Sequence, residues 1–125
     1  MADDENIGQA LRPAPGGFAM IDVTAEIDQL KSKLGASGGD REAKSLVKDY
    51  GLNVMLMALR RGARLHEHRT RGPLTVQVMS GRVNFAAAGV PHEITPGTMF
   101  ALDREIVHSV EALEDSVLLL TTAIG

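Results

Sequence analysis

The stretch that decides the fold is "RLHEHRTRGPLTVQVMSG", Arg64 to Gly81. His66 and His68 stand two apart. On a β-strand, residues i and i+2 point to the same face, so a strand here presents two imidazoles side by side. That spacing suits two ligands of one metal ion, although H-x-H also arises by chance. Glu67 lies between them and points away if the strand is regular. The second half, "LTVQVMS", reads as another strand. Leu74, Val76 and Val78 share one face, and Thr75, Gln77 and Met79 share the other. The apolar face is the inward one, and Gly81 closes the strand.

The same alternation continues on both sides. Upstream, "AKSLVKDY" alternates loosely to a turn at Gly51, and "LNVMLMALR" is a nearly continuous apolar strand up to Gly62. Downstream, "RVNFAAAG" places Val83 and Phe85 on one face, and "VPHEITPG" turns at Pro96-Gly97. "TMFAL" and "VHSVEAL" flank the polar turn "DREI", and "SVLLLTTAI" ends the chain. Short strands with turn signals at roughly 8–12 residue spacing predict an all-β sandwich or barrel, and the lack of intervening helices excludes a βαβ fold. Before them, residues 1–17 are a polar arm ending in Pro13, Pro15, Gly16 and Gly17. Residues 18–42 hold a short helix, "TAEIDQLKSKLG", with Thr24 as its N-cap and Gly35 as its stop, followed by a Gly-rich loop. The barrel domain is expected over residues 43–125.

Composition narrows the chemistry. At 125 residues the chain suits one domain with one core, and with aromatics at only 3% that core is built from Val, Leu, Ile, Ala and Met. There is no cysteine, so disulfides and thiolate ligands are excluded and any metal is held by nitrogen and oxygen. The net charge of -3, without a basic and aromatic surface, argues against nucleic acid as a partner. No long apolar run predicts a membrane helix, and the acidic, polar start does not read as a secretory signal, so a cytoplasmic protein is the expectation.

A third histidine completes the pattern. His108, Val110 and Ala112 share a face, and two apolar neighbours make it an inward one. An inward histidine needs a hydrogen bond, a metal or a ligand. At this point the chain resembles the cupin superfamily. Gly62, His66-x-His68 and Gly81 are similar to its first motif. "TPGTMFALDREIVHS", a Pro-Gly turn followed by His108, is similar to its second. The resemblance spans about residues 43–123 and implies a double-stranded β-helix, or jelly-roll barrel, with an internal pocket and usually a homodimer.

The resemblance also implies that His66, His68 and His108 are metal ligands, the metal being a divalent transition ion such as Zn, Fe, Ni, Cu or Mn. The family pattern adds a glutamate on the strand after H-x-H. Leu74 stands near that place here, and Thr75 or Gln77 takes it over only if a bulge turns the strand over. Three neutral histidines would leave the ion a local positive charge that favours anionic or enolate-forming ligands. Arg69 and Arg71 are expected to steer an anion at the pocket mouth, and Met57, Leu74 and Val76 to form its apolar wall, with a small molecule as the partner. Two readings follow: a metal-dependent enzyme of the oxygenase or isomerase type, and a non-enzymatic ligand-binding or sensor domain that works with or without metal.

Overall fold

The computed structural model describes residues 17–49 and 51–123; the expected arm lies almost wholly outside them. One helix, α1 (Val23–Ser37), precedes nine strands. They are β1 (Arg41–Asp49), β2 (Leu52–Leu59), β3 (Arg64–His68), β4 (Leu74–Ser80), β5 (Val83–Ala87), β6 (Val90–Ile94), β7 (Met99–Leu102), β8 (His108–Ala112) and β9 (Ser116–Ala123). No helix among the described residues is long and apolar enough to cross a membrane.

The helix is longer than expected at both ends. Asp22, not Thr24, caps it: its carboxylate accepts from the Ala25 N–H at 3.0 Å. Asp22 precedes the first apolar residue of the helical stripe, which places its oxygen over the orphan N–H groups of the first turn. Gly35 stays within the helix, and Gly38, at φ 75°, ends it in the left-handed conformation that glycine adopts without strain. Strand β1 follows at Arg41, two residues before the boundary read from the sequence.

The strands form two antiparallel sheets, ordered β1-β2-β9-β4-β7 and β3-β8-β5-β6. Alternation decides what lies between them. Leu74, Val76 and Val78 of β4, Val83 and Phe85 of β5, and Val110 and Ala112 of β8 are all buried in one cluster. Each of the leucine, valine and phenylalanine side chains among them contributes about 1.5–3 kcal/mol on leaving water. The opposite face of the larger sheet carries a second cluster, in which Leu30 and Leu34 of α1 cover Leu46, Leu56, Ala58 and Val117. Glu26 and Lys44 pair along that seam.

The sheets are joined tightly at one end. The chain crosses from β4 to β5 at Gly81, whose φ is 87°. A side chain there would run into the Asp115 carbonyl and the Ser116 backbone. At the opposite end lie the first residues of β2, β4 and β8 and the last residues of β3 and β9, and a cavity opens among them.

Candidate functional site

Strand β8 brings His108 to this cavity. Its burial alternates along the strand, so His108, Val110 and Ala112 point inward as the sequence predicts, and His108 is only 2% exposed. Phe85 stacks on the His108 ring, with centroids 5.6 Å apart and planes at 11°. Strand β3 supplies His68 directly opposite. The Nε2 atoms of His68 and His108 lie 3.0 Å apart, with the rings edge to face.

The other nitrogen of each ring is held in the same way. Nδ1 of His68 lies 3.0 Å from the His66 carbonyl oxygen, and Nδ1 of His108 lies 3.0 Å from the Ile106 carbonyl oxygen. A carbonyl only accepts, so each Nδ1 carries the proton and donates it. In the neutral tautomers both Nε2 atoms then present lone pairs to one another. Such a pair is satisfied by one shared proton or by a cation bound to both nitrogens. Carbonyl partners of this kind also orient and tautomerise metal-ligating histidines. Burial pushes the His108 pKa below its ordinary value; the bond to the Ile106 carbonyl opposes this, and the neighbouring His68 adds to it. The balance favours the neutral ring, the form that binds metal. The donor set therefore fits a divalent transition metal.

The expected side-by-side pair on β3 is not what forms. Leu65 opposes Val110 and His68 opposes His108, so His66 and Glu67 together face the single residue Ser109 across a bulge. The bulge breaks the two-residue alternation on which the sequence reading rested. The close histidine pair is made across two strands instead. His66 is exposed; it lines the cavity and also a shallow groove on the outer side, which it shares with Glu67 and Glu111. Among the described residues, no group of three or more histidine, aspartate or glutamate side chains gathers closely enough to hold a metal ion.

The cavity measures about 400 Å³ and is lined mainly by apolar groups, among them Met55, Met57, Leu65, Leu74 and Leu120. Met57 and Leu74 thus stand where the sequence puts them. Val76, Arg69 and Arg71 do not line it. Val76 sits in the middle of β4 and is wholly buried in the core. Beyond His68 the alternation continues outward, inward, outward. Arg69 and Arg71 are exposed, and Thr70 between them reaches the cavity. The cation in the lining is Arg41, which is also bonded through Nε and a terminal nitrogen to Asp40. Asn53 and Thr122 complete the polar lining. Sequence reading missed all three, although the parity of β2, with Asn53 on the same face as Met55 and Met57, was a usable signal. His92 is exposed, packs edge-on against Phe100 and stays outside the cavity, as expected.

No family model matches the chain, and no curated protein matches it. Solved structures do. A cupin superfamily protein from Desulfitobacterium hafniense DCB-2 superposes with a TM-score of 0.68 at 13% identity, over 72% of this chain and 83% of that one. A Cupin 2 conserved barrel domain protein from Leptotrichia buccalis gives 0.67 at 27% identity, over 70% of this chain and 43% of its own. A variant of salicylate 1,2-dioxygenase from Pseudoaminobacter salicylatoxidans gives 0.71 at 19% identity, over 89% of this chain but only 36% of the dioxygenase. The two-sheet antiparallel architecture, the histidines that line the cavity at one end and these likenesses agree: in fold, this chain is a small cupin barrel.

Proposed function

We propose that the barrel is a metal-dependent site for a small organic molecule, with His68 and His108 holding a divalent transition metal and His66 as the third candidate ligand on the same wall. One observation carries this reading: two Nε2 atoms meet at 3.0 Å while both Nδ1 atoms are committed to backbone carbonyls. When bound, such an ion supplies Lewis-acid or redox chemistry at coordination positions that the protein leaves open. The chain's own residues do the rest. Met55, Met57, Leu65 and Leu120 exclude water and contact the apolar body of the ligand. Arg41, held by Asp40, adds a polar, charge-paired edge to the lining. The fold shared with a salicylate 1,2-dioxygenase is compatible with an oxygenase-type reaction.

A second reading, ligand binding without turnover, has its own support. None of the residues lining the cavity is an aspartate or glutamate, and Leu74 occupies the neighbourhood where a carboxylate ligand was sought. Only the histidines remain as proton acceptors, and a metal would occupy them. Exposed Val90 and Met99, on β6 and β7, fit the homodimer that the resemblance implies. Light scattering checks that state.

Metal analysis of protein purified without a histidine tag tests the metal reading. About one ion per chain is expected after loading and dialysis, falling to background in His108→Ala. Metal that stays far below one per chain in the wild type sinks it. Turnover of a ligand found by screening, lost on chelation, then separates the enzyme from the binding module.

A further inference from the structure

The two imidazoles at the mouth stand in surroundings with no unmatched negative charge. Both Nε2 atoms, 3.0 Å apart, present lone pairs, and both Nδ1 atoms are committed to backbone carbonyls. The neutral rings bring no charge to an ion held between them. The acids of the same two strands do not supply it either. Glu67 on β3 and Glu111 on β8 line the groove on the outer side of that sheet, not the cavity. On the facing sheet, Met55, Met57 and Leu120 are uncharged, and the Arg41 guanidinium is matched by Asp40. Among the described residues, no third histidine or carboxylate gathers with the pair closely enough to share a metal. A cation here meets two neutral nitrogens in a largely apolar cavity.

Charge and coordination number then discriminate among ions. The cost of taking an ion out of water rises with the square of its charge, and a counter-charge or a full set of donors must offset it. The protein offers a doubly charged ion neither. Zinc in closed sites takes four ligands, and Mg, Ca and Mn prefer oxygen donors. Copper differs on both counts. As Cu(II) it heads the order of divalent affinities for nitrogen donors. As Cu(I) it carries a single charge, is soft, and is satisfied by few neutral donors such as imidazole. We propose that the His68–His108 pair is selective for copper and holds it most tightly as Cu(I). The proposal rests on the reading of the two histidines as a metal pair, and it adds the identity and charge of the metal. It also gives Thr70 a part. Thr70 is the next inward position after His68, and by being uncharged it keeps the cavity unfavourable to divalent ions.

Competition with chromophoric chelators tests this on the full chain, purified without a histidine tag: Cu(I) with ascorbate under nitrogen, Cu(II) and Zn(II) in air. Cu(I) is expected to bind at least about 100-fold more tightly than Zn(II), because the second charge is left uncompensated. Bound copper then has a midpoint potential above that of the aqueous ion. In His108→Ala the Cu(I) affinity falls by about 100-fold or more. Thr70→Glu places a carboxylate on the wall of the pair, so the divalent ions gain and the preference for Cu(I) shrinks by about tenfold. Thr70→Gln, of the same shape without the charge, leaves the preference unchanged. Where Thr70→Glu does not fold, the wild-type ranking decides alone. Zn(II) bound by wild type as tightly as Cu(I), or a potential below that of the aqueous ion, overturns the proposal and leaves the metal reading standing. Cu(I) affinity that survives in His108→Ala also overturns it, since copper then sits elsewhere, as on the exposed thioethers of Met20 and Met99. So does an equal shift in Thr70→Glu and Thr70→Gln. Failure of every ion to bind overturns the metal reading itself.

Discussion

The two ends of the barrel are built on opposite terms. At the closed end, backbone and side-chain groups are matched. The Ser116 hydroxyl lies within bonding distance of the Arg82 N–H and of the carbonyls of Arg82 and Glu114. Gly62 N–H donates to the Ala112 carbonyl, Ala112 N–H donates to the Ala63 carbonyl, and the Asp115 carboxylate accepts from the Arg61 N–H. At the mouth, two imidazole Nε2 atoms face one another, an amide oxygen lacks a protein donor, and β3 is bulged and mostly exposed. One end fastens the sheets together. The other leaves polar capacity for something that is not the protein. On the proposed function, stability and binding are separated along the barrel axis, so substitutions at the two ends should have different signatures.

The largest effect on folding is expected from Gly81→Ala. The backbone there is left-handed and a side chain meets the chain at Asp115 and Ser116, so a loss of about 3 kcal/mol or more is expected in chemical denaturation. A near-neutral result would break the picture of a rigid closed end. Ser116→Ala comes next, at about 2 kcal/mol, since it strips the partner from the half-buried Arg82 N–H and leaves the joint open there. Metal content should follow neither substitution in protein that remains folded.

The mouth responds to pH instead. The folded-state pKa of His108 is lowered, chiefly by burial, so the unfolded chain binds more protons as pH falls through the ordinary value of 6.5. Metal-free protein should therefore keep its full stability above that pH and lose part of it below. Denaturation midpoints at pH 8 and pH 5.5, for wild type and His108→Gln, check the sign; the loss should shrink in the variant. The smallest change in stability, within about 0.5 kcal/mol, is expected for His66→Ala, because that side chain is exposed on the bulge. A larger loss would mean that the bulge is held by His66 rather than tolerated at the edge.

Much of this was legible from parity alone. The inward rows Leu74-Val76-Val78 and His108-Val110-Ala112 follow from two-residue alternation, and the structure keeps both. The same rule, carried on from His68, places Thr70 inward and Arg69 and Arg71 outward; reading the arginines as a cluster of charge hid it. Carried along β2, it places polar Asn53 on the cavity face. Two features were not legible. The β3 bulge depends on how two strands share one register, and H-x-H is written identically with or without it. The close fit of Gly81 against Asp115 joins residues far apart in the chain, and neither the strand end nor the motif that Gly81 closes names that neighbour.

The central claim is that His68 and His108 together hold a metal ion. X-ray absorption on the metal-loaded chain, with metal content normalised to protein, tests it most directly. The account predicts at least two imidazole nitrogens in the first coordination sphere, and the loss of bound metal in both His68→Ala and His108→Ala. A bound metal without imidazole scattering, or one retained in full by either variant, would contradict it.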